Sequence, residues 1–94
     1  MIALYRRPRF RLGRVVITNR ASMVIRREDV LAALERFVCG DWGEVDPYDA
    51  AQNEQALQDG GRLLSVFRSS CGASFWIVTE GDRSTTSVIL PDEY

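Results

Sequence analysis

Four carboxylates, Asp41, Glu44, Asp46 and Asp49, crowd between positions 41 and 49 of this 94-residue chain, and acids at that density are the first residues to test for chemistry. Oxygen ligands of this kind suit hard cations, but a calcium loop needs acids at alternate positions followed by glycine, and the D-x-D-x-D-G spacing is missing. Asp46 also precedes Pro47, the pair that opens a helix, and so reads as an N-cap and structural anchor. The group reads as a solvated acidic surface. A second set, Glu80, Asp82 and Arg83, with Asp41 or Asn53 as neighbours, has the residue types of a hydrolytic site. The chain has no histidine, and all twelve of its basic residues are arginine. A general base would therefore be a carboxylate of raised pKa, and a domain this small has little room for the dry pocket that raises one. A turn held by an ion pair is the favoured reading. A third set, Tyr5-Arg6-Arg7-Pro8-Arg9-Phe10-Arg11, interleaves rings and guanidinium groups as an arm that stacks on bases and neutralises phosphates would. The same residues suit an arm folded onto the protein's own acidic helix. Cys39 and Cys71 have no CxxC partner, and they read as small apolar side chains. Catalytic residues, metal ligands and cofactors are assigned to none of these positions, and the chain reads as a non-enzyme.

The elements that must carry these residues follow from periodicity. "RVVIT" (14 to 18) is a β-branched run and predicts a strand. A bend follows at 19 to 22, with a helical turn over 21 to 25. Val30, Leu31, Leu34, Phe37 and Val38 recur at helical spacing behind Glu28 and Asp29, which favour the positive end of a helix, and Gly40 supplies a stop. A second helix opens at Asp46-Pro47 and runs to about Asp59, before Gly60-Gly61. Its apolar stripe, Ala50, Asn53, Ala56 and Leu57, is thin, which predicts a helix lying on the core with its carboxylates facing outward. Trp42, between Gly40 and Gly43, predicts an anchor that fastens the connection between the two helices. "RLLSVFR" (62 to 68), "SFWIVTE" (74 to 80) and "STTSVIL" (84 to 90), separated by "SSCGA" and "GDRS", predict three strands in an antiparallel meander. Apolar residues of both parities predict that both sheet faces are partly covered, one by helices, the other by the N-terminal arm or a second chain. The fold class is α+β: one short N-terminal strand, two helices, then a three-stranded meander in a single sheet packed on the helices, all in one domain (1 to 94) with an arginine-rich arm over about residues 1 to 12.

Charge is divided along the chain. Residues 1 to 36 hold nine arginines against three acids, and residues 37 to 94 hold three against ten. Such asymmetry suits two partner surfaces of opposite sign, or two halves that neutralise each other. No apolar run approaches the length of a bilayer span, and charges stand where a signal peptide needs its apolar segment, so the expectation is a cytoplasmic protein that does not enter the membrane.

The strings "YRRPRFRLGRVVIT", "GDWGEVD", "NEQALQDGGRLLSVF" and "FWIVTEGDRSTTSVILPDEY" together resemble a widespread family of small bacterial proteins associated with plasmids and other mobile elements. The likeness covers nearly the whole chain; Gly81 departs from it, standing where the family has alanine. The resemblance implies a setting and carries no catalytic residues. Small proteins of that setting include anti-CRISPR and anti-restriction factors, which present acidic surfaces to basic nucleic-acid channels. The expectation is therefore a monomeric inhibitor of a host defence complex, with Asp41, Glu44, Asp49, Glu54 and Asp59 as its contact surface and electrostatic steering as its advantage. The alternative is a small nucleic-acid-binding or regulatory protein that uses Arg6, Arg7, Arg9 and Arg11.

Overall fold

The computed structural model describes residues 7 to 94. Strand β1 (Arg14–Ile17) leads into helix α1 (Asn19–Val24), α2 (Arg27–Val38) and α3 (Pro47–Asp59). Strands β2 (Leu63–Arg68), β3 (Ser74–Thr79) and β4 (Thr85–Ile89) follow, and a 3-10 turn (Pro91–Glu93) ends the chain. Among the described residues the sheet has four strands, in the order β1-β4-β3-β2. Strands β2, β3 and β4 form the expected antiparallel meander. The expected sheet needs correcting at its other end. Strand β1 is not separate from the meander: it pairs with β4, and in parallel, with Arg14 opposite Thr85 and Ile17 opposite Val88. The connection back to β4 spans most of the chain, and no local pattern announces a partner at that distance. Joining β4 gives one side of the β1 backbone its hydrogen bonds, as in Arg14 N–H to Ser84 O (2.9 Å) and Thr18 N–H to Val88 O (3.1 Å).

The helix count among the described residues also changes, from two to three. Thr18 leaves β1 in an extended conformation, and its hydroxyl accepts from the Ala21 N–H at 3.1 Å, so the helix starts at Asn19 where a bend was expected. Ala21 of α1 is fully buried. Helix α2 buries Val30, Ala33, Leu34 and Phe37, while Leu31 stands half exposed beside them. Helix α3 starts as the Asp46-Pro47 pair requires: the Asp46 carboxylate accepts from the Asp49 N–H at 2.8 Å. It ends at Gly60, whose left-handed conformation (φ 81°) suits glycine.

The pleat assigns the sheet residues to two faces. Leu63, Ser65 and Phe67 of β2, Phe75, Ile77 and Thr79 of β3, and Thr86 and Val88 of β4 are buried beneath the helices. The buried hydroxyls on this face are each hydrogen-bonded: those of Thr79 and Thr86 lie 2.7 Å apart, Thr86 donates to Leu12 O and Ser65 donates to Ile77 O. The opposite face carries Leu64, Val66, Trp76, Val78 and Ile89. The C-terminal segment covers part of it, with the Tyr94 ring 5.0 Å from that of Trp76. No helix among the described residues is long and apolar enough to cross a membrane.

Candidate functional site

The acids near Trp42 are drawn into the fold by arginines from elsewhere in the chain. Asp41 accepts from Arg36 Nε at 2.8 Å and from the Gly43 N–H at 3.0 Å. Glu44 takes a two-pronged contact from Arg68, at 3.0 and 3.3 Å. Glu54 receives both terminal nitrogens of Arg9, at 2.9 and 2.8 Å, and the Trp42 indole N–H at 3.1 Å. The Arg9 hydrogen bonds hold the Glu54 carboxyl below its usual range, against a smaller opposing effect of partial burial. Of the acidic set, Asp49 faces no arginine among the described residues, and Asp59 accepts from Gln55 on its own helix at 2.9 Å. The outward face of α3 is thus less negative than its sequence suggests.

Of the expected arm, Arg6 lies outside the described residues. Arg7 and Arg11 are exposed, and the segment between them is docked. The Arg9 N–H donates to Val38 O at 2.7 Å, and the Phe10 ring lies 5.0 Å from that of Phe37 and 6.2 Å from that of Trp42. Trp42 itself is 6% exposed, with Phe37 at 5.7 Å. Phe10, one of the arm's two rings, is therefore spent on the core, and Tyr5 lies outside the described residues.

The turn residues that have the types of a hydrolytic site are also engaged. Arg83, held at a positive φ of 61°, donates to Gly61 O (2.6 Å), Ala56 O (3.0 Å) and Glu80 O (3.0 Å), and so staples the end of α3 to the β3–β4 turn. Glu80 pairs with Arg62 at 3.3 Å. Asp82 accepts from the Ser84 hydroxyl at 2.6 Å and its N–H at 3.0 Å, contacts that lower its pKa, the direction opposite to what a general base at neutral pH needs. Among the described residues no three His, Cys, Asp or Glu side chains gather closely enough to hold a metal ion. Cys39 is half-buried, and Cys71 is exposed with its Sγ 3.0 Å from the Ser69 hydroxyl oxygen.

The two edges of the sheet are treated very differently. Along β2 the edge is closed. Asn53, buried on α3, clasps Leu64 from both sides: its amide donates to Leu64 O at 2.7 Å and its carbonyl accepts from the Leu64 N–H at 3.0 Å. One residue pair further on, Val66 exchanges bonds with the Trp42–Glu44 segment, the Val66 N–H going to Trp42 O and the Glu44 N–H to Val66 O. This close approach requires glycine at 43, whose φ is 72° and whose Cα faces the Val66 carbonyl. Natural sheets cover their edges in this way because an unpaired row of N–H and C=O groups templates further pairing.

Along β1 the edge is open among the described residues. Arg14 and Thr18 spend their N–H groups on β4, so by the alternation of a parallel ladder the N–H and C=O groups of Val15 and Ile17 point away from the sheet. All four residues of β1 are exposed, Val15 and Ile17 at 40% each. Beneath the strand lies a groove of about 530 Å3, walled by Val15 and Ile17 on one side and by Ile25, Val30, Leu31 and Leu34 on the other, with Arg27 at its rim. Arg14 and Arg27 form no ion pair among the described residues. Sequence reasoning missed this surface. Its signal was the run Val15-Val16-Ile17, apolar at both parities between two arginines, where a half-buried strand would alternate. Comparison of the chain with protein-family models, curated proteins and solved structures finds no match in any of the three.

Proposed function

We propose that this protein is a non-enzymatic, protein-binding factor that acts by occupying a surface of a larger assembly, and that it docks through β1 and the groove beneath it. One observation carries the reading. Of eight large apolar side chains left exposed among the described residues, six (Val15, Val16, Ile17, Met23, Val24 and Leu31) fall between residues 15 and 31, on β1 and the two helices that follow it. Concentrations of apolar surface of this kind mark interaction sites, whereas scattered ones need no explanation. The carboxylates, by contrast, give weaker support to docking through α3, because Asp41, Glu44 and Glu54 each already hold an arginine of the same chain. The setting belongs to the proposal as the sequence resemblance implies it: a mobile genetic element, and a host defence complex of the anti-CRISPR or anti-restriction target class as the assembly occupied. A second reading, nucleic-acid binding through the N-terminal residues, draws on the exposure of Arg7 and Arg11.

The test is a pair of variants in a plasmid or phage protection assay. Val16→Glu with Leu31→Glu places charge on the exposed apolar surface, and Glu44→Arg with Asp49→Arg and Asp59→Arg reverses the acidic one. Docking through β1 predicts that the first variant keeps its circular dichroism melt and loses protection, while the second retains it. Loss in the second alone would return the function to the acidic surface. Binding of the native chain to DNA or RNA in a gel shift at low salt, lost on Arg7→Ala with Arg11→Ala, would instead favour the second reading.

A further inference from the structure

The open edge also specifies what it takes. We infer that β1 receives an extended, acidic-apolar segment of a partner protein as a fifth strand of the sheet; the inference rests on the docking surface proposed above. Three features combine. The main-chain groups of Val15 and Ile17 face outward at a spacing that only another strand can satisfy in register, the mode of recognition in which backbone hydrogen bonds supply affinity. Every second side chain of an added strand would point to the helix side of the sheet, into the groove between Ile17 and Leu31 or Leu34, which calls for apolar residues at alternate positions. The third feature is charge. Arg14 stands at the start of the strand and Arg27 at the groove rim, both exposed and both without a carboxylate among the described residues. The neighbouring acids are already committed, Glu28 to Arg26, Asp92 to Arg20 and Asp29 to the Ser70 N–H and hydroxyl.

The same charge argues against a second copy of this chain as the occupant. Pairing β1 with its own counterpart would gather two Arg14 and two Arg27 side chains around one short ladder with no free acid to meet them, and like charges across a strand pair destabilise it. A partner segment with Asp or Glu near its ends answers both arginines.

The probe is a blocked peptide, acetyl-Asp-Ile-Thr-Val-Thr-Ile-Glu-amide, titrated into the full chain and followed by nitrogen-15 amide spectra and amide hydrogen exchange. Its controls are the same peptide with lysine in place of both acids and with proline in place of its central valine. The expected result is slowed exchange at Val15 and Ile17, binding that weakens as salt rises, and about tenfold weaker binding of the lysine peptide, the size of two exposed ion pairs lost and reversed. The proline peptide should not bind. Arg14→Glu with Arg27→Glu, both at exposed positions, should invert the preference between the acidic and lysine peptides. Val15→Pro should fold, because the N–H it removes points away from β4, and should bind neither peptide. Equal binding of the acidic, lysine and proline peptides would overturn the inference, and so would sedimentation showing a dimer that Val15→Pro dissociates. If the acidic peptide fails to bind while Val16→Glu with Leu31→Glu still abolishes protection, the docking surface stands and the acidic strand as its occupant is wrong. If both fail, the surface is wrong as well.

Discussion

Replacing Asn53 with leucine separates the work of the edge clasp from the packing of α3. Asn53 is 3% exposed, and its amide makes both of its bonds to one residue, Leu64, at 2.7 and 3.0 Å. Asn53→Leu keeps the volume and strands the Leu64 N–H and C=O. An orphaned buried backbone group costs about 1–3 kcal/mol, and since these are only partly buried the lower half of that range applies to each. The added apolar contact returns about 1 kcal/mol, leaving a net loss of about 2 kcal/mol. For a domain of this size that lowers the melting temperature by about 8–16 °C. Asn53→Asp sharpens the test with pH. Its carboxylate can still accept from the Leu64 N–H but faces the Leu64 carbonyl, and burial and that repulsion both raise its pKa in the folded state. A raised folded-state pKa means that the native protein holds the proton longer than the unfolded chain. Stability relative to the native sequence is therefore greatest below about pH 4 and falls as pH rises through the folded-state pKa, by about 1.4 kcal/mol for each unit of the shift. Thermal melts followed by circular dichroism between pH 3 and pH 7 measure both effects. An Asn53→Leu protein melting within about 2 °C of the native chain, or an Asn53→Asp protein whose deficit does not depend on pH, would refute the claim that the clasp stabilises the β2 edge.

Trp42→Ala removes a buried indole packed on Phe10 and Phe37 and should cost about 3–5 kcal/mol in chemical denaturation, whereas Trp42→Phe should cost far less because it loses chiefly the hydrogen bond to Glu54. Gly43→Ala should destabilise more than Gly60→Ala. Both glycines have positive φ, but a methyl group at 43 meets the Val66 carbonyl and at 60 meets open space apart from Gly81 O at 3.9 Å, so comparing the two melts isolates the clash. Glu54→Gln tests the Arg9 contact through pH. The folded-state pKa of Glu54 is depressed, so its contribution is present at neutral pH and is lost as pH falls through that pKa. The native chain should therefore be the more stable of the two at pH 7, and the difference should close in an acid titration.

What could be read from the chain was local. Asp46-Pro47 and Gly60 mark the ends of α3 because capping depends on a few adjacent residues. The three strands after Gly61 were legible because their β-branched and aromatic runs are broken by turn residues at short intervals. The parallel pairing of β1 was not legible, because its partner β4 is reached only after three helices and two strands. Nor was the pairing of charges: Arg9 with Glu54 and Arg20 with Asp92 join residues from opposite halves of the charge asymmetry, so acids that read as a free negative surface are partly met by arginines of the basic half. The open edge was hidden for a related reason. Val15, Val16 and Ile17 look like buried strand residues until the topology sets them at the rim of the sheet.

The docking claim is met most directly by site-specific photo-crosslinking in the host that carries the protein. A photoreactive phenylalanine analogue is placed in turn at Val16, at Leu31 and, as a control on the opposite acidic helix, at Gln58. Docking through β1 predicts that positions 16 and 31 yield the same heavier adduct, with a protein other than this chain, and that adding Val15→Pro removes it while the adduct yield at 58 stays at background. An adduct at 58 alone, or adducts at 16 and 31 that survive Val15→Pro, would contradict it.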